Sequence, residues 1–185
     1  MNDYVQSFQR NRALLESAGI DTTEHDACGV GLVAALDGKS SRAVVRAGID
    51  ALKAVWHRGA VDADGKTGDG AGIHIEIPQA FFAEAVQNGG DTLKPGPIAV
   101  GMAFLPKTDF GAQERCRQIV ETEILAMGFG IYGWRQVPIN VAVIGEKANA
   151  TRPEIEQILI HDPEQRDVET TERDLYVVRR RIEKQ

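Results

Sequence analysis

The sequence predicts a layered domain of mixed α and β structure, and three observations carry that prediction. Ile73, Ile75 and Ile77 alternate with His74 and Glu76, the period-two pattern of a strand with one apolar face. Apolar residues recur at helical spacing in two longer stretches, first Val45, Ile49, Leu52 and Trp56, then Cys116, Ile119, Val120, Ile124 and Met127. The run from Ile98 to Leu105 places Ile98, Val100, Met102 and Phe104 on one side and the small Ala99, Gly101 and Ala103 on the other. That is the composition of a strand covered on both faces.

The elements follow in order. Residues 3–18 form a short amphipathic helix through Val5, Phe8, Leu14 and Leu15, ended by Asp21, Thr22 and Thr23. A first strand runs from Val30 to Leu36, turns at Asp37-Gly38 and leads to a helix from Arg42 to Trp56 with one buried stripe. The strand through Ile73 and Ile77 is stopped by Pro78. A short helix over 79–86, a polar loop over 87–97 and the strand 98–105 come next. Asp109 caps a helix over 109–127 whose stripe makes Cys116 a core residue, and Gly128 ends it. Two short apolar runs follow, at 131–134 and 139–144. Pro153 begins a helical turn, and a last helix from Asp167 buries Leu175, Val178 and Ile182. The chain then stops at Gln185 without a closing glycine or strand, which predicts a continuing chain.

Composition narrows the function classes. With 185 residues, 43% of them apolar, the chain can bury the core of one domain. A net charge of −6 argues against general affinity for nucleic acid or an anionic membrane, both of which select basic surfaces. No run approaches the roughly 20 apolar residues of a membrane span. Residues 1–27 lack the apolar centre of a secretory signal, so they read as a leader but not an export signal. Cys28 and Cys116 cannot build a disulfide framework, and the scattered His25, His57, His74 and His161 do not make a zinc site. A reducing, cytoplasmic setting is expected.

The residue that points to chemistry is Cys28, in the run His25-Asp26-Ala27-Cys28-Gly29-Val30-Gly31 at the junction of leader and domain. A thiol attacks a carboxamide once a base takes its proton, and the nearest base would be its own α-amine. The two titrate at about 8.5 and about 7.7–8, a good match near neutrality. The scheme requires cleavage between Ala27 and Cys28, because an amide nitrogen has no basicity. Gly29 and Gly31 would leave the thiol open to a substrate. The competing reading is an ordinary buried cysteine.

A second constellation is Trp56-His57-Arg58-Gly59-Ala60, then Asp62, Asp64, Lys66 and Thr67-Gly68-Asp69-Gly70-Ala71-Gly72. Arg58 directly follows the first long helix, so its guanidinium fork could meet the nucleophile or a substrate carboxylate. Alternatively it is a solvated cap on the helix C-terminus. The glycine run 68–72 precedes a strand and lacks the helix and lysine of a nucleotide loop, so it reads as a tight turn whose amides Asp69 bonds. His57 and His74 receive no role.

Taken in order, Cys28-Gly29-Val30-Gly31, Trp56 to Gly65, Thr67 to Gly72 and Gly145-Glu146-Lys147-Ala148 resemble the large-subunit family of bacterial glutamate synthase, over the whole chain. The resemblance implies the glutaminase part, a class II glutamine amidotransferase domain. Its expected fold is α+β, the four-layer αββα sandwich of N-terminal-nucleophile (Ntn) hydrolases, incomplete in this chain. Residues 1–27 would be the propeptide and 28–185 the N-terminal part of that domain. Cys28 would be the catalytic nucleophile, and Arg58 and Gly59 would line the pocket for L-glutamine. Ammonia released there would pass to a distant flavin site for reductive amination of 2-oxoglutarate. The implied cofactors are FMN and a 3Fe-4S cluster in the complete large subunit and FAD with NADPH on the small subunit, none of them in this segment. The family's oxyanion-hole asparagine-glycine pair and its glutamine-binding aspartate are expected beyond Gln185, and Asn88-Gly89, in a polar loop, is not assigned to the former. Two other readings stay open: a separate amidotransferase subunit that feeds ammonia to a partner enzyme, and a noncatalytic interaction fragment.

Overall fold

The computed structural model describes residues 6, 10, 13–14, 17–18, 29–55, 61–68 and 70–185. These fall into two compact units, residues 1–59 with Ala71–Ile73, and Ala60–Gly70 with His74–Gln185.

In the first unit the described part of the leader is helical at Gln6, Arg10, Ala13, Leu14 and Ser17. Helix α1 spans Arg42–Ala54 and starts where the Ser41 hydroxyl accepts from the Val44 amide, satisfying one of the donors a helix leaves free at its start. Its apolar stripe is half-buried and not the fully buried one expected, and Trp56 lies outside the described residues. The turn at Asp37-Gly38 forms as predicted, with Gly38 at φ +66, a conformation glycine adopts without cost.

Two expected strands are not strands in this structure. Residues 30–36 are irregular, with Val30 and Leu32 at 95% and 92% exposure, and residues 73–77 are irregular as well. Alternation fixes which face a side chain would take in a sheet, but it does not supply the neighbouring backbone that makes a ladder.

The second unit holds the packed core. Helix α2 spans Gln79–Asn88, strand β1 Ala99–Leu105, helix α3 Phe110–Ala126, strand β2 Gly130–Gln136, helix α4 Glu146–Thr151, strand β3 Glu154–His161 and helix α5 Val168–Ile182. The strands form one antiparallel sheet in the order β1-β3-β2, so the last strand in sequence is central. Successive residues of β3 point to opposite faces. Ile158 and Ile160 join Ile124 of α3, Phe129 and Val178 of α5, while Leu159 joins Phe82 and Val86 of α2 and Ile98. Helices α3 and α5 therefore cover one face of this sheet, and α2 covers part of the other.

Asp109 caps α3 by accepting from the Ala112 amide, and Asp167 caps α5 by accepting from the Thr170 amide. Cys116 is a half-buried free thiol on α3. Strand β1 is covered on both sides at Ala99 and Val100, but Met102 and Phe104 stand 51% and 66% exposed, which corrects the expectation of full cover. The run 139–144 contains a single 3₁₀ turn, Val141–Val143.

The clearest correction concerns Pro153, which introduces a strand instead of a helical turn. Proline disfavours helical backbone in the residue before it, and Arg152 accordingly is extended at φ −59 and ψ 140, ending α4. Beyond it Ile155, Ile158 and Ile160 supply the β-branched side chains that suit a central strand. Among the described residues no helix is long and apolar enough to cross a membrane.

Candidate active site

Cys28, Arg58 and Gly59 lie outside the described residues, as do His57, Asp69 and the leader's end at Ala27. Next to the cysteine, Gly29 and Gly31 have open space where a Cβ would stand. His74 is exposed.

The segment that follows Arg58 and Gly59 is a closed loop. Val61 bridges Gly68, the Asp62 amide donates to the Thr67 carbonyl at 2.7 Å, and the Gly65 amide returns to the Asp62 carbonyl at 2.9 Å, with Gly65 at φ +67. Asp64 holds the loop from inside. Its Oδ1 accepts from the amides of Lys66 at 2.9 Å and Thr67 at 2.6 Å, and its Oδ2 accepts from the Thr67 hydroxyl. The Thr67 hydroxyl, then the amides of Thr67 and Lys66, hold the Asp64 carboxyl well below the usual carboxylate range. A tight turn thus occupies 62–67 with Asp64 bonding its amides, while Asp69, expected to do so in the glycine run 68–72, lies outside the described residues.

This loop is tied to the other motif the sequence singled out, Gly145 to Ala148. Lys147 Nζ lies 2.8 Å from both Oδ1 and Oδ2 of Asp62. The Ala148 amide donates to the Thr67 hydroxyl at 3.5 Å. A Cβ on Gly145 would stand 2.1 Å from Thr67 Oγ1 and 2.5 Å from Asp64 Oδ2, so the two backbones meet where only glycine fits. The importance of Thr67 and the Lys147–Asp62 pair carries no local signal, because the partners are 85 residues apart.

A groove of about 620 Å³ opens between α2 and β2, lined among others by Phe81, Asn88, Asp91, Tyr132, Trp134 and Arg135. Two of its side chains are engaged: the Tyr132 hydroxyl accepts from the Lys94 amide at 2.9 Å, and Arg135 lies 5.0 Å over the Phe81 ring and donates to Gln157. Asn88 closes α2 and Gly89 is its C-cap, which corrects the reading of this pair as part of a polar loop. The helix simply runs two residues further than its apolar stripe.

Residues 28–185 match the family described as glutamine amidotransferases class-II. The chain is 61% identical over 183 residues to the protein named glutamate synthase [NADPH] large chain of Azospirillum brasilense, covering 98% of this chain and 12% of that relative. It is 39% identical over 165 residues to the protein of the same name in Bacillus subtilis, covering 86% of this chain and 10% of the relative. A ferredoxin-dependent glutamate synthase of Arabidopsis thaliana is 37% identical over 166 residues, 88% of this chain and 10% of its own length. The chain thus spans about a tenth of the length of the curated relatives it matches.

Proposed function

The chain belongs to the class-II glutamine amidotransferases, and from that premise we propose that residues 28–185 are the front of the glutaminase domain of a glutamate synthase large chain. The observation that carries this is the family match itself, which begins at Cys28 and runs to Gln185. It supports residues 1–27 as a propeptide and Cys28 as the first residue of the mature chain.

The chemistry follows from a cysteine with a free α-amine. The amine takes the thiol proton, and the thiolate adds to the side-chain amide carbon of L-glutamine. The carbon–nitrogen bond then breaks, the proton leaves with ammonia, and a thioester remains. Water, deprotonated by the same amine, cleaves the thioester to glutamate and restores the thiol. Arg58 holds the substrate carboxylate and Gly59 gives it room. An aspartate loop braced from within and from α4 fits a pocket wall that must keep its position from turnover to turnover.

We extend the same reading to the complete protein. Its domain would be the four-layer αββα sandwich, and exposed Met102 and Phe104 on one sheet face favour a second sheet packed there. Ammonia would pass on for reductive amination of 2-oxoglutarate, with NADPH as donor through a small subunit carrying FAD, in the cytoplasm. FMN and the 3Fe-4S cluster would be held by other parts of the large chain. Cys28 and Cys116 are too few to ligate such a cluster, and the reaction above takes no step through it.

The test is made on the complete protein from its source cells. Its N-terminal sequence should begin at Cys28, and Cys28→Ala should abolish glutamine hydrolysis while circular dichroism stays unchanged. A chain that starts at Met1, or glutaminase activity that survives the substitution, would overturn the reading.

A further inference from the structure

We propose that His161, Tyr132 and the backbone amide of Lys94 form a pH-sensitive latch, which holds the 89–97 loop on the sheet at neutral pH and releases it in mild acid when the imidazole becomes a cation. His161 ends β3 and stands opposite Gly130 across the ladder to β2, its ring in the space that a Cβ on Gly130 would fill. The Tyr132 ring lies against it, the centroids 4.8 Å apart. The Tyr132 hydroxyl in turn accepts from the Lys94 amide at 2.9 Å, which ties the loop to the sheet. Little else does so. The amides of Gly90 and Asp91 only turn back to the end of α2, and Leu93 is half-buried against the cluster of Phe82 and Val86.

The ring's surroundings suit only its neutral form. In an imidazolium both nitrogens are donors, and Nδ1 of His161 is buried with no hydrogen-bond partner. The carboxylate next to it is already taken, because Asp162 Oδ1 accepts from Arg166 Nη1 at 2.9 Å and Oδ2 accepts from the Arg166 amide at 2.8 Å. From the loop, Lys94 brings a like charge; from β2, Tyr132 faces the ring, and α2 meets this side of the sheet through the uncharged Phe82 and Val86. Glu84 of α2 and Asp91 line the groove with Tyr132 but do not act on the ring. Burial first, then Lys94, hold the imidazole pKa down, and Asp162 opposes them. A charged ring must therefore leave its place. His161 is half-buried, so water is within reach of a side-chain rotation, and the rotation takes away the support on which Tyr132 rests. Gly89 and Asp91 of the loop line the groove beside Tyr132, so release of the latch also widens that groove.

The experiment is residue-resolved amide hydrogen exchange on the complete protein, read at Lys94 and corrected for the intrinsic pH dependence of exchange. It reports on one amide and not on turnover, so its outcome is independent of the function proposed above. Protection of the Lys94 amide should fall about tenfold or more between about pH 7.5 and about pH 5.5. The amides of Leu159 and Ile160, in the central strand, should lose far less. In His161→Phe, and in His161→Gln as a second replacement that does not titrate, Lys94 protection should stay within about twofold over the same range. Tyr132→Phe, which removes the acceptor, should leave that amide poorly protected at both pH values. Constant protection of Lys94 in the parent would overturn the latch. So would a fall of the same size in both His161 variants, or an equal fall at Leu159 and Ile160, which would mark loosening of the whole sheet.

Discussion

Arg117 of α3 grips Glu156 in the middle of the central strand β3 with both arms of its guanidinium, Nη2 to Oε1 at 2.6 Å and Nε to Oε2 at 2.8 Å. Arg117 Nη2 also donates to Gln113 Oε1, and the Gln113 amide donates to the Pro106 carbonyl just past β1. Glu156 is buried, and the hydrogen bond it accepts raises the Arg117 pKa above its ordinary value. A carboxylate on the helix-covered face of a sheet is tolerated only with such a partner.

Arg117→Met should therefore destabilise the chain by about 3 kcal/mol, because it strands a buried carboxylate. Urea denaturation measures this directly. Adding Glu156→Met should return most of the loss, since an apolar pair of similar volume suits that layer. A single-substitution cost below about 1 kcal/mol would mean that the pair behaves as a surface contact.

The same sheet explains what the sequence could and could not disclose. Helices α1, α2, α3 and α5 are legible because a 3.6-residue stripe and a cap such as Asp109 are local signals. Strand β1 is legible because Ala99, Gly101 and Ala103 announce a crowded face. Strand β3 is not, since Pro153 stands equally well before a strand or at a helix start, and only the ladder to β1 and β2 decides. The runs 30–36 and 73–77 mislead in the opposite direction, having the alternation of strands without the ladder. At the candidate site the motifs stand out one by one, yet the Lys147–Asp62 contact between them is a product of folding. Cys28, Arg58 and Gly59 rest on the sequence and the family.

Close packing at Gly101 makes a second prediction. A Cβ there would lie 2.8 Å from Ile158 Cγ2, a methyl held in the core. Gly101→Ala should cost about 1–3 kcal/mol in thermal or urea unfolding. Combined with Ile158→Ala, which removes that methyl, the two losses should sum to less than their separate values. Simple additivity would show that the backbone yields instead.

His161 makes the stability depend on pH. Burial first, then the nearby Lys94, lowers its pKa, against a smaller opposing effect of Asp162. The fold thus favours the neutral ring, whereas the unfolded chain takes up the proton near pH 6.5. Its contribution is complete above that pH and is lost as pH falls from 6.5 towards the lower folded value. His161→Phe preserves a ring against Tyr132 and removes a buried Nδ1 that has no hydrogen-bond partner. The denaturation midpoint of the variant should fall less than the parent's between pH 7.5 and 5.5; parallel curves would assign the slope to other groups. Asp167 acts in a separate, acid window. Its pKa is lowered by the Thr170 hydroxyl and amide, so its stabilisation is present above 3.8 and disappears below.

Arg58 decides between a substrate clamp and a helix cap, and the two predict different losses. As a clamp, its planar fork meets a carboxylate with two parallel hydrogen bonds, which the single ammonium of lysine cannot reproduce. Arg58→Lys in the complete protein should then raise KM for glutamine by about tenfold or more. Alkylation of Cys28 by iodoacetamide, which carries no carboxylate, should keep its rate, while labelling by a glutamine-mimicking electrophile should slow in step with KM. As a cap, Arg58 interacts only with the carbonyl end of a helix, an effect of about 0.3–1 kcal/mol that lysine supplies equally well. In that case neither KM nor either labelling rate would move. The comparison of the two reagents is decisive because both report on the same thiol and only one has a carboxylate for Arg58 to hold.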